Sequence, residues 1–450
     1  MKLLIILIFI VSVSCTHTAK NRSVASAHLD KDLPEDPHIC QGEPLKLNEE
    51  CDRPGEVEVY KELAERLQNN IQALVRQNRK EHNGKNLRAF HAKKHGCMQG
   101  QLNILSNDTV SSNIEKLTKL AKDKNINIEY LSNPKETLSA IRKGIFETPN
   151  KSFPVWVRYS NASPFAIKAD HAGGELRGMA LKVMGVSGVR ASNFGESLGT
   201  EKYTQDLLMT NKPFGTTPGP RTFIKLGEYL AQGKEKFTMS DILSKAYAFK
   251  ILGIKKSVRI AKISTKIPAN PATESYWSGN AFYLGDKAIK FGVEPCTDSV
   301  SSYPADYISV PDKKGTEVTN NPNYLRNRLA ELSKRSDICF KLNVQFQTDV
   351  KSTSIEDGLD QWTEEESPSI HIADIILPKQ IIRDDQQDQF CDQLKFNPWH
   401  SLEAHKPMSD SGQARFFVYK GSADGRSEGT HEEPLGNEFT NNLITDQRGS

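Results

Sequence analysis

Between residues 340 and 347 apolar and polar side chains alternate without a break. Phe340, Leu342, Val344 and Phe346 stand against Lys341, Asn343, Gln345 and Gln347. Successive side chains of a strand point to opposite faces, so this stretch reads as a strand buried on one side only. Such strands suit antiparallel sheets, because parallel sheets are covered on both faces and show continuous apolar runs. Val155-Trp156-Val157-Arg158-Tyr159-Ser160 and Met179-Ala180-Leu181-Lys182-Val183 also read as strands. Ala281-Phe282-Tyr283-Leu284 and Ala288-Ile289-Lys290-Phe291 read as a hairpin turning at Gly285-Asp286-Lys287.

Helical spacing occupies separate blocks. Tyr60, Leu63, Leu67, Ile71, Leu74 and Val75 recur at three- and four-residue steps, as do Ile114, Leu117, Leu120 and Ala121. Ile242, Leu243, Ala246 and Phe249 share a face within residues 220–265, and Leu325, Leu329 and Leu332 mark a helix after Pro322. Strands and helices in blocks, without βαβ repetition, predict an α+β fold. Residues 355–367 form an acidic loop, and the chain from about Ser427 is polar and loose.

Met1-Lys2 precedes the apolar run from Leu3 to Val11. That run is shorter than the roughly 18 residues of a spanning helix and fits the apolar core of a signal peptide. Ser12-Val13-Ser14-Cys15 resembles a bacterial lipobox, with Cys15 the residue to be lipidated; an ordinary cleavage near Ser14 is the equal alternative. Either places the mature protein outside the cytosol, as a periplasmic, membrane-anchored or secreted protein. Setting Cys15 aside leaves six cysteines, an even number that permits disulfides there. Cys40 and Cys51 are the closest pair in sequence; the others cannot be paired from it. Net charge is only +3 and no Lys/Arg block stands out, so no nucleic-acid partner is expected, and no membrane contact beyond a lipid anchor at Cys15.

Arg415-Phe416-Phe417-Val418-Tyr419 is by itself a weak signal, readable as a surface arginine and a core tyrosine, but its spacing admits one specific chemistry. A tyrosine ligates ferric haem only as the phenolate, and free tyrosine has a pKa of about 10. An arginine four residues earlier shares its face on a helix, and a guanidinium beside the oxygen favours the charged form. Other segments keep it company. Arg88-Ala89-Phe90-His91-Ala92-Lys93 resembles the R-x-x-H-A-K segment of catalases. Val157-Arg158-Tyr159-Ser160 resembles their V-R-F-S strand, and Arg177-Gly178-Met179-Ala180-Leu181-Lys182 the strand that follows. Gln413 to Tyr419 resembles the proximal Q-G-R-L-F-x-Y segment, with Arg426 seven residues further on, and Phe396-Asn397-Pro398-Trp399 resembles the turn before that helix. These pieces stand in catalase order over roughly residues 85–430.

The resemblance implies a catalase-like antiparallel β-barrel with surrounding helices. It implies haem b with its ferric iron on Tyr419, kept ionised by Arg415. His91 would be the distal base, Ser160 would set its tautomer, and Arg88, Arg158 and Arg426 would pair with the propionates. The partner would be a small-molecule hydroperoxide. The reaction would be of catalase or peroxidase type, or the rearrangement of a fatty-acid hydroperoxide. Two departures bear on this. Typical catalases set an asparagine opposite the distal histidine; the stretch taken as corresponding, Tyr203-Thr204-Gln205-Asp206-Leu207-Leu208-Met209, has none, and Thr204 or Gln205 would have to serve. Lys94 and His95 replace small residues. Since 31 residues follow Tyr419, the chain resembles the smaller bacterial catalase-like haem proteins that lack a C-terminal helical domain. The expected organisation is a signal peptide at 1–15, a polar arm at 16–55, a haem domain at 56–430 and a polar tail at 431–450, with homo-oligomerisation left open.

Three competing readings remain. Gly195-Glu196-Ser197-Leu198-Gly199 matches the nucleophile elbow of hydrolases, yet the preceding Val189-Arg190-Ala191-Ser192-Asn193 is too polar for the buried strand that elbow needs. His91 and His95 lie four apart, in a segment that reads as strand. A haem-binding protein without catalysis is the third.

Overall fold

The computed structural model describes residues 38–40, 42–51, 56–81, 87–124, 126, 128–163, 169–170, 175–193, 202–215, 217, 219–220, 223, 267–309, 321–382 and 385–426. Cys15, Ser197, the helical spacing at 242–249 and the polar tail lie outside them.

The chain forms strands β1 (Ile39–Cys40), β2 (Glu43–Pro44), β3 (Lys94–Ile104), β4 (Ser152–Asn161), β5 (Arg177–Met184), β6 (Thr204–Thr210), β7 (Tyr276–Trp277), β8 (Phe282–Leu284), β9 (Lys287–Pro295), β10 (Ile338–Phe346) and β11 (Ile370–Leu377). Eight of these close a ring in the order β3-β4-β5-β6-β7-β9-β10-β11, with β11 returning to β3 and every pairing antiparallel. Closure leaves no free edge around the ring. The expected hairpin is β8–β9, with Leu284 opposite Lys287.

The interior holds the large apolar core. Met98 and Leu102 of β3, Val155, Val157 and Tyr159 of β4, Met179, Leu181 and Val183 of β5, and Leu207 and Met209 of β6 meet there with Phe340, Leu342 and Val344 of β10. The period expected for β10 holds at those three residues, all fully buried. Its outer face differs from a wetted one at the C-terminal end. Gln345 donates to the carbonyls of Trp362 and Ser367 (3.1 and 2.6 Å), and Gln347 to that of Thr353 (3.1 Å). Thr353 and the acidic 355–367 loop after it cover them, and the loop packs Ile355 and Trp362 against Ala281, Ala288 and Met408.

Helices wrap the outside: α1 (Glu56–Glu81), α2 (Asn107–Asp123), α3 (Pro134–Ile141), α4 (Tyr324–Arg335), α5 (Asp385–Gln393) and α6 (Ser409–Arg426), with shorter turns between. Gly421 of α6 lies against Gln68 of α1, and Gly425 against Gln72 and Val75. Three disulfides use the six cysteines: Cys40–Cys51, Cys97–Cys391 and Cys296–Cys339. Within the expected arm, residues 38–51 are stitched to the barrel. Asn48 donates its N–H to Gln347 and accepts from the N–H of Ala288, and Cys51 donates to Glu356.

At Gly100 of β3 an added Cβ would run into the carbonyl oxygen of Ile376 on β11, backbone that cannot turn aside. Gly100→Ala is therefore expected to lower the stability by about 1–3 kcal/mol through overpacking, read from the urea unfolding midpoint.

Candidate functional site

The pleat that sends apolar residues inward sends another set outward on β4, β5 and β6. Strand register aligns them in three rows: Ser160, Gly178 and Thr210; Arg158, Ala180 and Leu208; Trp156, Lys182 and Asp206. Two of the smallest side chains, Gly178 and Ala180, thus sit mid-wall.

His91 lies over the first row. It precedes β3 with a φ of 57°, a region L-residues rarely adopt. Its N–H donates to the carbonyl of Ala162 (3.1 Å), and its own carbonyl accepts from Arg158 Nη2 (2.8 Å). Its ring rests on Gly178, where a Cβ would meet Nδ1 and Cε1 at 2.5 Å. Nδ1 is 3.0 Å from Ser160 Oγ. Burial, and then the charges of Arg158, Arg88 and Arg415, lower the ring's pKa to about 3. The imidazole is therefore neutral near pH 7, the form that can accept a proton.

The other half of the site comes from α6. Arg415 and Tyr419 stand one turn apart, as expected. Arg415 Nη2 donates to Tyr419 Oη (3.4 Å), with the guanidinium 5.3 Å from the ring centre. Tyr419 packs against the cluster of Trp156, Met184, Leu208 and Phe396, which includes the outward residues of the same wall. His91 and Tyr419 thus address one surface from two directions.

The remaining arginines gather at the end of α5. Arg88 Nη2 donates to the carbonyl of Leu394 (2.7 Å), Nη1 is 4.0 Å from Asp392, and the guanidinium is 5.7 Å from the Phe396 ring. Arg426 donates to the carbonyl of Asp392 (3.0 Å). Lys94 reaches Asp392 (2.8 Å) and Asp388 (3.3 Å). Burial opposes ionisation of Asp392, but Lys94 and Arg88 outweigh it and hold the carboxyl below its usual range. Burial lowers the pKa of Arg158 further than any neighbour does. Arg158 Nε and Arg415 Nη1 are buried and have no hydrogen-bond partner among the described residues.

Thr204 is not brought to this site. It is fully buried at the far end of β6, opposite Met184. Thr210 stands six positions further along, roughly 20 Å of strand. Gln205 is also spent elsewhere, accepting from the N–H of Leu402 (2.9 Å). The half-buried Thr210 occupies the row of Ser160 and Gly178 instead. The signal for it is parity combined with register, since outward residues of β6 are even-numbered and Thr210 faces Gly178. His95 turns away from His91 to Asn161 Oδ1 (2.7 Å). Among the described residues the one group with metal-ligand spacing is Cys296, Cys339 and Asp374, whose two cysteines are joined in a disulfide.

No family model and no curated protein matches the sequence. Solved structures do match. A fungal catalase superposes with a TM-score of 0.53 at 16% identity, covering 88% of this chain and 69% of that one. Catalase A from Saccharomyces cerevisiae gives 0.55 at 14%, covering 88% and 71%, and a bacterial catalase gives 0.51 at 14%, covering 90% and 69%. The chain has the catalase fold. In this catalase fold the segments singled out from the sequence converge on one outer wall of the barrel.

Burial also holds His95 and His405 to a pKa of about 4. His405 must stay neutral, because its Nε2 accepts the N–H of Ile145 (3.0 Å). With His91 these groups take up protons in the unfolded chain below about pH 6.5 but in the folded one only below about 4. Stability therefore falls as pH drops through that window, by up to about 1.4 kcal/mol per pH unit for each group. Asp360, raised to about 6 by burial, opposes them but is outnumbered. The urea midpoint is expected to fall between pH 7 and 5, and His405→Gln to flatten the slope; a level profile in the parent protein would refute the assignment.

Proposed function

We propose that the chain binds a b-type haem against this outer wall, with Tyr419 as the iron ligand, and acts on hydrogen peroxide or an organic hydroperoxide. The observation that carries the reading is the meeting of the His91–Ser160 pair and the Arg415–Tyr419 pair on one surface. The residues present fit such a group. Gly178 and Ala180 keep the wall low, while Trp156, Leu208 and Phe396 offer apolar faces. Arg158 Nε and Arg415 Nη1 are buried donors without acceptors among the described residues, suited to carboxylate and phenolate oxygens. Arg88, Arg158 and Arg426 would hold the propionates, with Arg88 and Arg426 also reaching Asp392.

Haem, when bound there, supplies the electrons that open an oxygen–oxygen bond. The chain's own groups handle the proton. His91, neutral above about pH 3, accepts the hydroperoxide proton and returns it to the outer oxygen, which then leaves as water or an alcohol. Ser160 engages Nδ1, leaving Nε2 to move the proton. Thr210, rather than Thr204, stands in that row and would offer its hydroxyl to the peroxide. Arg415 Nη2 stays at the oxygen of Tyr419, 3.4 Å away. Three disulfides suit an oxidising compartment, which supports export through the 1–15 leader, with Cys15 either lipidated or removed. No helix among the described residues is long and apolar enough to cross a membrane.

Purified protein supplied with haem should show a high-spin ferric spectrum of phenolate character; a protein that takes up no haem would end this reading. Tyr419→Phe should lose that signature. His91→Ala should keep haem and lose about 10²–10⁴-fold in hydroperoxide turnover, the usual worth of a general base. Thr210→Val should raise KM for hydrogen peroxide where Thr204→Val does not, as steady-state kinetics will read.

A further inference from the structure

Three ionisable groups are shut away at the base of the wall. Lys182 and Asp206 face each other on β5 and β6, both fully buried, with Nζ 2.7 and 2.8 Å from the two carboxylate oxygens. Asp206 Oδ2 is 3.1 Å from His400 Nδ1 and accepts the N–H of Asn397 (2.9 Å). The Asp206 N–H in turn donates to the carbonyl of His400 (2.8 Å). Burial opposes the charge on Asp206, but Lys182 and His400 outweigh it and hold the carboxyl below its usual range.

Lys182 and Asp206 belong to the barrel, whereas Asn397 and His400 belong to the turn that precedes α6. That turn grips the helix. Trp399 Nε1 donates to the carbonyl of Gly412 (2.8 Å) and Asn397 Nδ2 to that of Phe416 (3.4 Å). The Trp399 ring meets Phe416 nearly edge-on, at 84° and 5.9 Å. Arg415 and Tyr419 follow on the same helix. A second line runs through Phe396, whose ring lies 5.1 Å from Lys182 Nζ and packs in the cluster that Tyr419 joins.

We propose that the Lys182–Asp206 pair positions Tyr419, fixing the height of α6 over the wall and so the reach of the phenol oxygen. The inference rests on the haem reading above. Burying two charges is a poor way to gain stability, since apolar residues of similar size often serve as well. A carboxylate does what they cannot: it directs a backbone N–H, an imidazole and an ammonium to fixed places at once. Lys182 and Asp206 are positioning residues that touch no reacting atom.

The test uses the full chain loaded with haem. Parent protein without a phenolate-ligated spectrum would fail the haem reading itself and is scored separately. Lys182→Met/Asp206→Leu removes both charges and leaves neither orphaned. Because the Asn397 N–H and the His400 ring lose their acceptor, it is expected to fold with a somewhat lower urea midpoint, and to release haem about tenfold faster in the absence of urea, the usual scale for outer-shell partners of a ligand. Its iron–phenolate Raman band should move. Lys182→Gln/Asp206→Asn, which keeps the hydrogen bonds without the charges, should restore both readouts. Parent-like release and an unmoved band in the Met/Leu protein overturn the proposal. Should that protein not fold, His400→Ala carries the test with the ion pair intact: a moved band supports the proposal, an unmoved one overturns it.

Discussion

Everything in this molecule depends on the closed antiparallel ring keeping its two faces chemically distinct. Inward residues of β4, β5 and β6 merge into one core, and outward residues become a fixed grid on which a site can be built. The spacing of that grid is set by backbone hydrogen bonds, so Ser160, Gly178 and Thr210 stay in one row whatever their side chains do. A slip of one residue would exchange core for site along a whole strand.

That constraint explains what could be read before folding and what could not. Period-two alternation at 340–346 and the Arg415–Tyr419 spacing are local, and both features are present in the structure. Register is not local. The stretch from Tyr203 to Met209 reads as opposite His91, but only the pairing of β5 with β6 shows that Thr210, one residue further on, faces Gly178. Gln345 and Gln347 alternate as surface residues do, but residues 353–367 fold over them and supply carbonyl acceptors. The partner of Cys97 lies 294 residues away, and nothing near either cysteine announces the pairing. The contacts of Arg88 and Arg426 with Asp392 come from a helix whose docking no short window reveals.

The site also shows how much positive charge the fold tolerates in one place. Arg88, Arg158, Arg426 and Lys94 lie around Asp388 and Asp392; burial first, and then neighbouring guanidinium charges, depress the pKa of Arg158 and of His91. A surplus of cations beside a neutral imidazole is a field that draws anions and disfavours a second proton on the ring. In the proposed haem protein the same field would serve ligand capture and proton handling.

The Cys97–Cys391 bridge and the β3–β11 pairing tie the first strand of the ring to nearly its last elements. A chain that emerges from its N-terminus can stack β3 to β6 early, but it cannot shut the ring until β11 arrives, nor lock it until Cys391 follows. Through all that interval the core-facing side of the open sheet stays exposed to water and to other chains, and such long-range closure is slow. The architecture that later offers no edge thus passes, in every molecule made, through a period with two, and its yield is set by how that interval is shielded.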